Sequence, residues 1–98
     1  MSYQVRYSTR AYAEYEEILD YVVENFGLEV AAKVDLHFEE VINQISINPN
    51  LFPYSNKMKK LRRCVISPQT TLYYRSSGEC VELASFRGNR MDPESLGL

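Results

Sequence analysis

The chain has 98 residues, 45% of them hydrophobic and 24% charged, which suits one modest core in one soluble domain, residues 1–98. No apolar run approaches the roughly 20 residues a membrane helix needs, and MSYQVRYSTR lacks a signal peptide's apolar core, so a cytoplasmic protein without membrane contact is expected. The net charge of −2 hides a division: residues 1–56 carry three Lys/Arg against nine Asp/Glu, whereas residues 57–90 carry eight against two.

In chain order, Tyr3, Val5 and Tyr7 alternate with Gln4 and Arg6, the period of a half-buried strand. Ser8 or Thr9 can cap a following helix by accepting from the free amides of its first turn. Ala11, Tyr15, Ile18, Leu19, Val22 and Phe26 then recur at helical spacing, with acidic residues on most of the remaining surface. Gly27 is placed to end this helix.

A second helix begins almost at once. Its apolar stripe is Ala31, Val34, Phe38, Val41, Ile42 and Ile45, and Pro49 stops it. So short a link folds the pair into an antiparallel hairpin. NPNLFPYSNKMKK reads as a loop. Three strands follow at about 61–66, 70–75 and 80–86, joined by the tight links SPQ and SSGE as an antiparallel meander. The expected fold is α+β, a βααβββ chain with the helical hairpin packed on one face of a small antiparallel sheet. The tail RGNRMDPESLGL is polar, with Pro93 barring a continued strand, and either crosses the open face or frays.

The basic half predicts a surface for a polyanion or an acidic partner. Its cations are Lys57, Lys59, Lys60, Arg62, Arg63, Arg75, Arg87 and Arg90. Cutting RNA would need a base for the 2′-hydroxyl, an acid for the leaving oxygen and a cation for the phosphorane. The chain is rich only in the third. Its one histidine, His37, belongs to the second helix, on the side away from the basic strands. Glu79 sits in a turn, and Glu82 is the only other carboxylate nearby. Cys64 and Cys80 read as free thiols, and with one histidine they give no zinc-ligand spacing. No metal or cofactor is expected. Tyr73 and Tyr74 are consecutive on a strand, so one joins the core and the other is free to make contacts; Tyr74 is the expected contact residue.

Four stretches in order carry a resemblance: AYAEYEEILDYVVENFG in the first helix, INPNLFPYS after the second, LRRCVISPQTTLYYR across two strands, and VELASFRGNRMDPESL at the end. Together they resemble the RelE/ParE superfamily of bacterial type II toxins. The resemblance implies a growth-arresting toxin bound by a cognate antitoxin in a hetero-oligomer. One branch enters the ribosome and cleaves mRNA with strand Lys and Arg. The other inhibits DNA gyrase and is associated with plasmid stabilisation. Matched to the nuclease branch, Arg62 stands at its first strand lysine and Arg90 near its C-terminal arginine. Cys64 and Thr71 stand where two further cations belong, and only Leu96 lies near the C-terminal tyrosine. Losing a cation at a transition-state contact typically costs ~10²–10³ in rate, so the resemblance favours the ParE-like, gyrase-directed branch. The alternatives are a ribosome-dependent mRNA endonuclease using Lys59, Arg62 and Arg90, and a non-toxic protein-binding relic of the fold.

Arg62 and Arg63 leave their strand on opposite faces. Cys64 and Ile66 continue the face of Arg62, which predicts Arg63 as the exposed contact. The superfamily match favours Arg62, and both remain contact candidates.

Overall fold

Strand β1 (Gln4–Tyr7) leads within two residues into helix α1 (Thr9–Phe26), and α2 (Leu28–Ile47) follows after a single glycine. A short 3-10 turn (Pro49–Leu51) opens the loop to strands β2 (Arg62–Ser67), β3 (Thr70–Ser77) and β4 (Cys80–Gly88). The structure, a computed structural model, describes residues 2–58 and 60–88. Lys59, Arg90, Leu96 and the expected course of the tail beyond Gly88 lie outside the described residues.

The βααβββ order is the expected one. The sheet runs β1-β4-β3-β2. β2–β3 and β3–β4 are antiparallel, while β1 lies parallel to β4 with Val5 opposite Val81 and Tyr7 opposite Leu83. Gly78 turns the β3–β4 hairpin at φ +60°, a left-handed conformation that suits glycine. Gly27, at φ +91°, separates the helices, and its amide still donates to the Val23 carbonyl.

Ser8 is the cap of α1. Its hydroxyl oxygen accepts from the Ala11 amide at 2.9 Å and the same hydroxyl donates to the Ala84 carbonyl of β4 at 2.8 Å. Six residues on, the Glu14 carboxylate accepts from the Ser85 hydroxyl at 2.8 Å and from the Phe86 amide at 3.0 Å. The start of α1 is therefore stitched to β4.

The hairpin covers one face of the sheet. Ala11 and Tyr15 of α1 and Phe38, Ile42 and Ile45 of α2 meet Cys64, Ile66, Leu72, Tyr74, Val81, Leu83 and Phe86 from the strands. At the centre, Phe38 stacks on Phe86 (centroids 6.0 Å apart, planes 6° apart), and Tyr15 sets its ring edge-to-face against both. The edge-to-face pairs among these aromatics add about 0.5–1.5 kcal/mol each beyond the burial of their area. Both cysteines are free thiols. Burial pushes the Cys64 thiol up to about 11, so it is unreactive at neutral pH.

Two predictions follow from this packing. Glu14→Ala strands the Ser85 hydroxyl and the Phe86 amide, and is expected to lower unfolding free energy by about 1–3 kcal/mol in urea titration. Glu14→Gln, which keeps an acceptor, is expected to lose less.

Burial also raises the phenols of Tyr7, to about 12, and of Tyr15 and Tyr74. Each binds its proton more tightly folded than unfolded, where the pKa is about 10. That contribution is complete below pH about 10 and is lost as pH rises toward 12 and beyond. Melting temperature is expected to fall from pH about 10 upward as these phenols ionise more readily in the unfolded chain than in the folded one. A melting temperature that stays flat up to pH about 12 contradicts the assignment.

Candidate functional site: the basic face of the sheet

The face of the sheet away from the helices follows from strand alternation. β1 turns Tyr3, Val5 and Tyr7 toward the core elements, leaving Gln4 and Arg6 on the other side. β2 buries Cys64 and Ile66 and exposes Arg63 and Val65. In cross-strand register, Arg63 stands opposite Tyr73, Val65 opposite Thr71, and Thr71 opposite Arg87. Arg75, Glu82 and Arg6 form a row across β3, β4 and β1.

In that row Glu82 lies between two cations. Arg75 Nη2 is 2.7 Å from Glu82 Oε1, and Arg6 Nη2 is 3.9 Å from Oε2. The Arg87 Nε donates to the Ser85 hydroxyl at 3.2 Å. Arg63, Lys57 and Lys60 are exposed and have no ion pair among the described residues. Arg6 was not foreseen as part of this surface. Its own alternation with Tyr3, Val5 and Tyr7 puts it opposite the core, but only the parallel pairing of β1 with β4 brings it beside Glu82.

Arg62 has a different task. It is half-buried on the core side of β2. Its Nη1 donates to the Phe52 carbonyl at 2.7 Å and its Nη2 to the Asn50 Oδ1 at 2.9 Å, and its guanidinium carbon lies 4.2 Å from the centroid of the Tyr54 ring. One guanidinium thus holds three positions of the preceding loop. The backbone continues the clasp, with Tyr54 bridging Arg62 and the Arg63 amide donating to the Pro53 carbonyl.

Tyr74, expected as a contact residue, is instead fully buried, and its hydroxyl donates to the Pro49 carbonyl at 2.7 Å. It shares the inward face with Leu72 and stands opposite Arg62. Tyr73, half-buried on the open face, is the aromatic next to the arginines. The sequence carried the signal, since Leu72 and Tyr74 are two apart on one strand.

The face can bind anions, and its described part offers little for proton transfer. His37 lies on the helical side, where its Nε2 donates to the Ile66 carbonyl at 2.8 Å. Glu79 is exposed in the β3–β4 turn, and Glu82 is engaged by two arginines. Among the described residues no cluster of His, Cys, Asp and Glu could hold a metal ion, and no helix is long and apolar enough to cross a membrane.

On the opposite side, a cleft of about 540 Å³ opens between the two helices and the β2–β3 turn. Ile18, Val22, Val30, Val34 and Phe38 give it apolar walls, with Lys33 and His37 among its polar ones.

A helical hairpin on one side of a four-stranded sheet, with a cationic surface on the other, makes this a small two-layer α+β protein. The chain shares its fold with solved structures of toxin-antitoxin systems. It is similar to a solved structure of a chromosomal ParDE TA system from P. aeruginosa, with a TM-score of 0.77 at 16% identity over 89% of this chain and 96% of that one. A YoeB/ParE toxin from Agrobacterium tumefaciens gives 0.64 at 15% identity over 88% and 98%. The E. coli DinJ-YafQ toxin-antitoxin complex gives 0.57 at 11% identity over 93% and 97%. No protein-family model and no curated relative matches the chain.

The two neighbouring arginines are expected to behave differently on substitution. Arg62→Ala removes two charged hydrogen bonds from the loop and is expected to cost about 1.5–3 kcal/mol of stability. Arg63→Ala is expected to stay within about 0.5 kcal/mol of the parent. Denaturant titrations of the two variants measure this, and equal losses would refute the division of roles.

Proposed function

We propose that this chain is the toxin of a type II toxin–antitoxin pair, acting in the cytoplasm by binding DNA gyrase and neutralised by a cognate antitoxin. Likeness of fold to toxins supports the toxin reading. The choice of target rests on one observation in particular: Arg62, the residue at the nuclease branch's first strand lysine, spends its guanidinium on Phe52, Asn50 and Tyr54. A group so engaged is not free to follow a phosphate to its transition state.

The rest of the described basic face agrees with docking rather than cutting. Arg6, Arg63, Arg75 and Arg87 present positive charge around Tyr73, with no histidine and no unpaired carboxylate beside them. Such a surface steers an acidic protein partner and fixes its register. The apolar cleft between the helices suits an amphipathic antitoxin segment, and an interface of at least about 1,200 Å² is expected for stable inhibition.

Expression alone is expected to arrest growth, and co-expression with an adjacent antitoxin gene to restore it. With purified protein, gyrase supercoiling is expected to be inhibited while translated mRNA stays intact. Arg63→Ala is expected to keep the fold and weaken inhibition by about tenfold, the loss of one exposed charged contact of roughly 1.4 kcal/mol. Cleavage of translated mRNA with supercoiling unaffected would transfer the reading to the ribosome-dependent branch. Harmless expression of folded protein would remove the toxin reading.

A further inference from the structure

Glu16, Asp35 and Glu39 lie together on the helical side, away from the basic face, around a cavity of about 320 Å³ walled by Tyr7, Tyr12 and Tyr15. Leu19 completes the lining, and no Lys, Arg or His belongs to it. The volume is at the small end of the roughly 300–1,000 Å³ found for ligand pockets.

The three rings meet as a corner rather than a stack. Tyr12 stands at 85° to Tyr7 with centroids 6.5 Å apart, and Tyr15 at 71° with centroids 6.0 Å apart. Ring faces are electron-rich, and a cation over them gains about 0.5–1 kcal/mol at exposed sites and about 2 when desolvated. The carboxylates add formal negative charge to the same space. Asp35 accepts the Tyr15 hydroxyl, which holds both side chains in place. Glu16, Asp35 and Glu39 have no ion pair among the described residues. Burial, then the negative charges of Glu39 and Asp35, raise the Tyr7 phenol to about 12, so that phenol stays neutral at physiological pH.

Like charges left together without a counter-ion repel one another, and a cation entering the cavity relieves that repulsion. The kind of cation follows from the geometry. The described carboxylates do not converge as ligands for a metal ion, whereas three aromatic rings line the cavity. A diffuse organic cation fits such walls better than a compact hydrated one.

We propose that the cavity walled by Tyr7, Tyr12 and Tyr15 binds an alkylammonium or guanidinium group, with Asp35 and Glu39 as its counter-charges. The group could be supplied by a free polyamine or by a Lys or Arg side chain of a bound protein. The site stands independently of the toxin reading and of the gyrase target.

The test is a titration followed by the ring resonances of the tyrosines in the intact chain. The probes are choline, spermidine, and the N-acetyl methylamides of lysine and arginine, with neohexyl alcohol as the uncharged isostere of choline. The cations are expected to shift the resonances of Tyr7, Tyr12 and Tyr15 with dissociation constants of about millimolar order, and the alcohol to leave them in place. Tyr12→Leu is expected to weaken binding about two- to fivefold, the loss of one exposed cation–π contact. Tyr12 is 58% exposed, so this variant keeps the core, and its dispersed spectrum checks the fold. Glu39→Gln is expected to weaken binding and reduce its salt dependence.

Tighter binding of spermidine than of the amino-acid derivatives assigns the site to free polyamines, and the reverse order assigns it to a protein side chain. Equal shifts with the alcohol, or no shift with any cation, would overturn the proposal without any variant. Unchanged affinity in both variants would overturn it as well.

Discussion

The fold depends on an edge that the sheet leaves unfinished. β4 is the strand between β1 and β3, but β1 has only four residues and pairs with Cys80 to Leu83. Beyond Leu83 the backbone of β4 has no strand on that side among the described residues, and buried backbone groups must find partners. α1 supplies them. Its cap residue Ser8 donates from its amide to Leu83 and from its hydroxyl to Ala84, and Glu14 accepts the Phe86 amide. Placing α1 in this way sets Tyr15 against Phe86 and Phe38, and α2 then lies where the core aromatics need it. The helix is located by polar bonds to one strand as much as by its apolar stripe.

Local pattern made most of the architecture legible. The stripe from Ala11 to Val22 marks α1 correctly because helical period and amphipathy agree there; Phe26, the last residue of the stripe, is 61% exposed because the hairpin turns away at Gly27. The meander was readable from its turns, and the division between Arg62 and Arg63 from alternation with Cys64 and Ile66. Alternation assigns a face, however, and never a partner. That β1 would lie parallel to β4 depends on a pairing across more than seventy residues, and this is why Arg6 was not foreseen on the basic face. Tyr74 is a different case. Its neighbour Leu72 marked it as inward, and the contact role belonged by the same rule to Tyr73. Arg62 could not be read either, since its three partners lie in a loop without periodicity.

The sequence's charge asymmetry becomes an asymmetry of sides. The acidic residues belong mostly to the hairpin and the arginines to the strands, so one layer of the fold carries each sign. A molecule built in this way can offer an acidic target its sheet while the helices engage something else. Glu82 moderates the basic side by sitting between Arg75 and Arg6. Such exposed pairs add little stability, and their effect is to hold two guanidinium groups in fixed directions, leaving Arg63 as the freest described cation of the sheet.

The clasp of Arg62 on its loop also bears on how the protein stays separate from its own copies. Among the described residues β2 is an edge strand, and an open edge is a template for adding further strands. The loop closes part of it: Tyr54 bridges Arg62, the Arg63 amide goes to Pro53, and the Ser55 amide goes to the Leu61 carbonyl. Farther along, His37 takes the Ile66 carbonyl, and the ladder to β3 is irregular between Val65 and Ser67. With a loop over its first half and a histidine and a register shift at its second, β2 is a poor seed for edge-to-edge aggregation. Loosening the loop by removing the Arg62 guanidinium would expose that template and make the chain more prone to self-association through its strands.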